Sequence, residues 1–156
     1  MQYVVAMRES LEKKVKVLEE ILRISQHQQE ILEKKPMDYK LFDQCVDDKD
    51  ICIEKIEKMD EGFDLLYQRV GNELKEHREQ YAEEIQKMQS LISEITDKSV
   101  TIQALEQRNR QALEQIFLEE RRELGRGKRS MSVAKNYYQT MGNMNAAGAQ
   151  FMDQKK

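Results

Sequence analysis

The chain has 156 residues, of which 35% are charged, 39% hydrophobic and 6% aromatic, and it contains no tryptophan. So few large apolar side chains exclude a spherical core of the size expected for this length and are typical of long-helix proteins. Residues 1–124 carry 20 basic and 28 acidic side chains (net −8), whereas residues 125–156 carry six basic and one acidic (net +5). We therefore predict an acidic helical rod over 1–124, followed by a basic tail over 125–156.

The first predicted helix covers about residues 2–34 and has two neighbouring apolar rows. Two rows indicate contact with two partner helices, as in a three-helix bundle rather than a two-stranded zipper. Pro36 ends this helix, and Asp38 is predicted to cap the next one, which must be antiparallel because the connection is short. The rows are Val4, Met7, Leu11, Val15, Leu18, Leu22, Ser25, Gln29 and Leu32, flanked by Val17, Ile21, Ile24 and Ile31.

The second predicted helix covers about residues 39–70, and Gly71-Asn72 is predicted to supply its terminating glycine and the second turn. Lys49 interrupts the apolar seam, and we interpret it as a residue that buries its stem and sends its ammonium outward. Cys45 and Cys52 lie one heptad apart, about 10 Å along a helix, which is beyond disulfide reach. We expect two buried, reduced thiols.

The third predicted helix covers about residues 74–124 and would outgrow its partners by about 25 Å. Its last turns would leave an apolar surface without a mate in the hairpin, which usually marks a binding surface. The alternatives are that the tail folds back onto it or that the helix breaks at Thr96-Asp97-Lys98-Ser99. The predicted binding residues here are Leu113, Ile116, Phe117 and Leu124. The predicted fold is therefore all-α: an elongated antiparallel three-helix bundle or coiled coil, with an overhanging third helix and a flexible C-terminal tail.

The tail carries methionines and two adjacent tyrosines in a segment of low charge. Such segments adapt to apolar grooves, and we predict that this one folds on contact with a partner. Tyr137 and Tyr138 have the character of interface anchors, unless the tail folds back and buries them on the rod. The basic run 125–129 favours a cap on the helix dipole as much as a nucleic-acid or lipid site. The tail residues predicted to bind a partner are Met131, Val133, Ala134 and Met141.

No catalytic, metal or cofactor site is predicted. His27 and His77 are isolated, and the acidic run around Asp47 lacks the spacing, turn glycine and distal glutamate of a calcium loop. Phosphate-binding glycine loops, nucleophile–base sets and apolar runs of about 18 residues are absent from the sequence, so neither an enzyme nor a membrane-inserted protein is expected.

Three stretches resemble the FlgN-type flagellar export chaperones. They are Asp47–Tyr67 ("DDKDICIEKIEKMDEGFDLLY"), Ile95–Asn109 ("ITDKSVTIQALEQRN") and the tail "SVAKNYYQTM" with its end "QFMDQKK". The resemblance covers essentially the whole chain, and the tail with its paired tyrosines is its more telling part. The stretch 142–148, rich in Gly, Asn and Ala, has no match in the family.

The resemblance implies a cytoplasmic bacterial protein that binds hook-associated (hook–filament junction) subunits through its C-terminal region before their secretion. It also implies docking at a membrane export-gate protein through a tail tyrosine, a role that Tyr137 or Tyr138 would carry here. A monomer or weak homodimer is expected, with no nucleic-acid partner. The rival interpretations are a related export chaperone with different axial cargo and a coiled-coil adaptor that dimerises through the end of the third helix.

Overall fold

The computed structural model describes residues 1–123, which form three α-helices and no strand within that range. They are α1 (Gln2–Glu33), α2 (Tyr39–Glu76) and α3 (Ala82–Glu123). Their 32, 38 and 42 residues correspond to lengths of about 48, 57 and 63 Å at 1.5 Å per residue. The all-α prediction is confirmed.

Side-chain contacts define the directions of the helices. Between α1 and α2, Lys14 Nζ lies 2.9 Å from Asp60 Oδ1, while Lys49 Nζ, earlier in α2, lies 3.2 Å from Ser25 Oγ, later in α1. These two helices are therefore antiparallel.

Between α1 and α3 the order is the reverse. Arg8 Nε lies 2.7 Å from Glu84 Oε2, and farther along both helices Lys98 Nζ lies 3.8 Å from Glu19 Oε1. These helices are parallel, so the chain runs up, down and up.

Helix α1 is the shared element of the bundle. It packs against both α2 and α3, whereas the backbones of α2 and α3 make no comparably close approach in residues 1–123. Both predicted apolar rows of α1 contribute to the core, with Leu18 and Ile21 fully buried. The interpretation of two rows as two partner helices is confirmed, and it leaves a gap between α2 and α3 that side chains must fill.

The first turn follows the prediction. Asp38 precedes α2, and its side chain accepts a hydrogen bond from the backbone N–H of Leu41 at 3.1 Å. This bond satisfies one of the backbone donors that a helix start leaves without a partner. Met37, 7% exposed, seals the turn against the core.

The predicted second turn at Gly71-Asn72 is wrong, as are the predicted helix bounds 39–70 and 74–124 on either side of it. Helix α2 continues to Glu76, and the chain turns over residues 77–81. Gly71 keeps a helical backbone because it lies between the buried side chains of Val70 and Leu74, whose burial outweighs a glycine cost of about 1 kcal/mol. The Tyr81 hydroxyl closes the turn by donating to Glu73 at 2.8 Å.

Helix α3 is continuous through Thr96–Ser99, so the alternative of a break there is not realised. The Thr96 hydroxyl donates to the backbone carbonyl of Ile92 at 3.0 Å, and that of Thr101 donates to Asp97 at the same distance. Both hydroxyls bond one turn back, which satisfies them without interrupting the helix.

Candidate functional site

The predicted binding residues of the third helix are core residues. Leu113 and Phe117 are only 3% and 2% exposed, and Ile116 is partly buried against the same cluster. The ring of Phe117 stacks on that of Tyr39, the first residue of α2, with centroids 6.2 Å apart and planes 7° from parallel.

The prediction that these three side chains lack a mate in the hairpin is therefore wrong. Within the described range α3 extends only six residues past Phe117, about 9 Å, instead of the expected overhang of about 25 Å. The misplaced second turn caused the error, because it made α2 too short and α3 too long.

The other predicted site residues lie outside the described residues. They are the partner-binding residues Leu124, Met131, Val133, Ala134 and Met141, and the export-gate tyrosines Tyr137 and Tyr138.

Five polar side chains from the three helices form a layer inside the core. We call this set the polar layer: Ser25 and Gln28 of α1, Lys49 of α2, and Glu106 and Asn109 of α3, all between 0% and 4% exposed. Because they are closed to solvent, none can reach an external substrate in this structure.

An ion pair holds the polar layer together. Lys49 Nζ lies 2.5 Å from Glu106 Oε1, and both the Lys49 ammonium and the Glu106 carboxylate contact the hydroxyl of Ser25. The Asn109 amide donates to the backbone carbonyl of Ser25 at 3.0 Å. Burial lowers the pKa of Lys49, while the Glu106 charge opposes this shift. The pair joins α2 to α3 where their backbones stay apart.

The outward-pointing ammonium predicted for Lys49 is wrong, since its side chain is 0% exposed. A signal for the layer does exist in the sequence. Ser25 and Lys49 interrupt the predicted apolar seams of the first two helices, and the up–down–up order brings both to the level of Glu106. The pattern of a single helix does not show that these polar residues meet in the core.

A second feature absent from the prediction is a groove near the second turn, which we call the turn-end groove. It has a volume of about 370 Å³ and is open to solvent on one side. Its lining comes from all three helices and the turn: Met7, Tyr67, Gly71, Leu74, Lys75, Arg78, Ile85, Met88, Gln89 and Ile92.

The groove combines an apolar floor with a basic rim. The partly buried side chains of Tyr67, Ile85 and Ile92 supply its accessible apolar surface. Of the residues in 1–123 that line it, Lys75 and Arg78 are the charged ones, and both are exposed. Gly71 presents no side chain toward it, and the nearest side-chain atoms to an added Cβ would be those of the Tyr67 ring at 3.4 Å. The signal of the groove in the sequence is a glycine inside an apolar pattern, which is also typical of a turn.

The residues with possible redox or metal chemistry do not form a site in the described range. Cys45 and Cys52 are free and buried, as predicted, and burial raises the pKa of both thiols. His27 and His77 lie at the surface, and residues 1–123 contain no cluster of His, Cys, Asp and Glu suited to a metal ion. No helix within residues 1–123 is long and apolar enough to span a bilayer.

The chain was compared with protein-family models, with curated proteins and with solved structures. None of the three comparisons finds a match.

Proposed function

We propose that the protein is a flagellar type III export chaperone of the FlgN type. It binds hook–filament junction subunits in the cytoplasm and escorts them to the export gate at the membrane. It acts by binding and carries out no catalysis. The bundle is the scaffold, and the basic C-terminal segment makes the contacts that keep the cargo termini from polymerising.

One observation carries this proposal. Two of the three stretches that resemble the family, Asp47–Tyr67 and Ile95–Asn109, lie on different helices and meet in the core through Lys49 and Glu106, 2.5 Å apart. The resemblance therefore falls on residues that pack together rather than on scattered charged helix surface.

Charge supports the assignment of the contacts to the C-terminal segment. The bundle carries net −8 and residues 125–156 carry net +5, so the two parts attract different partner surfaces. Leu113 and Phe117 are buried in the core and are no longer proposed as cargo contacts. The proposed contacts that lie beyond residues 1–123 are Leu124, Met131, Val133, Ala134 and Met141. Ile116 is partly buried and remains among the proposed cargo contacts.

The test is a titration of a purified hook–filament junction subunit into the full chain and into a chain truncated after Leu124. We expect the truncated chain to keep its helical circular dichroism and to lose affinity by at least about a hundredfold. Equal affinity of the two would overturn the assignment to the C-terminal segment. No binding by either would favour the coiled-coil adaptor, which sedimentation would then show to be a stable oligomer.

The proposed gate-docking role of Tyr137 and Tyr138 has its own test. A Tyr137→Ala/Tyr138→Ala variant should keep its affinity for the junction subunit but support less secretion of it by cells. A loss of subunit affinity would assign the tyrosines to cargo binding instead.

A further inference from the structure

We propose that the turn-end groove is a docking site for an acidic amphipathic helix of a partner protein. The inference rests on the proposed function for the identity of that partner, a junction subunit, and on the groove alone for its chemistry.

The apolar floor favours side chains presented by a helix. A volume of about 370 Å³ admits a few side chains but no whole helix. A helix lying across the opening would insert residues from one face, spaced three or four apart. Tyr67, Ile85 and Ile92 suit this use because they are only partly buried and present apolar surface to the groove.

The rim selects the charge of the partner. Among residues 1–123, Lys75 and Arg78 are the charged groups that line the groove, and no carboxylate of that range lines it. Three acids lie close in sequence, Glu73, Glu76 and Glu79, but none of them lines the groove. Glu73 accepts a hydrogen bond from the Tyr81 hydroxyl at 2.8 Å. A partner helix with carboxylates beside its apolar row therefore fits, whereas the basic segment 125–156 does not.

The chain offers a matched pair of glycines for the test. Both lie inside α2, but Gly71 lines the groove, whereas an added Cβ at Gly62 would meet nothing within 4 Å. A leucine at either position raises helix propensity. Only the leucine at 71 would fill the groove.

The first probe is a designed helical peptide with leucines at successive three- and four-residue steps, flanked by glutamates. Against the full chain we expect the Gly71→Leu change to weaken peptide binding about tenfold or more, and Gly62→Leu to leave it within about twofold. Thermal unfolding of both variants verifies that each is folded.

A charge reversal gives a second, independent readout. Lys75→Glu/Arg78→Glu should weaken binding of the acidic peptide and restore binding of a peptide whose glutamates are replaced by lysines. Lys55→Glu/Lys58→Glu has the same spacing and charge change on an exposed part of α2, so it should change neither. The difference between the two variants should shrink at high salt.

The outcomes separate the two proposals. Absence of peptide binding, equal binding by wild type and Gly71→Leu, or binding of anionic phosphatidylglycerol vesicles in place of the peptide would overturn the groove proposal. If the peptide binds through the groove but the full chain does not bind the junction subunit, the groove assignment stands and the chaperone proposal fails.

Discussion

The two ends of the bundle differ in how the space between α2 and α3 is filled. In both, α1 holds α2 and α3 apart, so the space between them needs side chains. Toward the first turn that space is bridged by the Lys49–Glu106 ion pair and by the stacked rings of Tyr39 and Phe117. Toward the second turn the small Gly71 and the buried methionines leave an open groove.

The difference separates a closed end, which specifies the fold, from an open end, which can receive a partner. A buried ion pair adds little net stability, since desolvation offsets most of its attraction, but helices placed in another register would leave its charges unpaired. Within residues 1–123, the hydrogen bond from Tyr81 to Glu73 in the turn itself is the contact of this kind at the open end. Changes at the two ends should therefore have different consequences.

The largest effect is expected from splitting the ion pair. Lys49→Met should cost about 3–5 kcal/mol in the free energy of unfolding, because the Glu106 carboxylate would stay buried without its ammonium. The double variant Lys49→Met/Glu106→Leu should be about as stable as wild type or more stable. Urea unfolding followed by circular dichroism measures both. A double variant as unstable as the single one would show that the pair is not the unit we describe.

Next comes the aromatic contact at the same end. Phe117→Ala should cost about 3 kcal/mol in unfolding free energy, because it empties a buried site against Tyr39. Leu118→Ala is the matched control, since Leu118 is 51% exposed and its change should stay within about 0.5 kcal/mol. If the two changes had equal effects, Phe117 would be a surface residue, as predicted from the sequence alone.

The smallest effect concerns the Lys14–Asp60 pair, which lies between the two ends. Burial raises the pKa of Asp60 above its ordinary value of 3.8, and Lys14 opposes the shift. A raised folded-state pKa means that the stabilising contribution of Asp60 is complete below the ordinary value and is lost as pH rises through the folded value.

Asp60→Asn removes this titration. The unfolding free energy of wild type minus that of the variant should therefore fall with rising pH across this window, by less than about 1 kcal/mol in total. Urea titrations over a pH series measure it. A difference that rises with pH would mean that Lys14 dominates and that the pKa of Asp60 is lowered instead.

The sequence predicted what depends on the pattern within one helix. The double row of α1, the Asp38 cap and the buried thiols of Cys45 and Cys52 are local or periodic features, and the structure confirms them. What depends on two helices at once was not predictable in this way.

Lys49 is the clearest case. The pattern of α2 alone fits two conformations of Lys49, one with the ammonium at the surface and one with it buried beside a carboxylate. The position of Glu106 on α3, next to Lys49, decides for the second. Gly71 is similar, because a glycine that ends a helix and one that lines a groove differ only in tertiary contacts. The turn and the groove were missed for this one reason.

Hydrogen exchange of the full chain, with and without a purified hook–filament junction subunit, would locate the surfaces that the cargo covers. We expect added protection of backbone amides in residues 125–156, the proposed cargo contacts, and across residues 67–92 around the turn-end groove, with little change across residues 39–49 and 102–113 at the closed end. Protection confined to residues 125–156 would contradict the groove proposal, and protection concentrated in residues 39–49 and 102–113 would contradict both proposals.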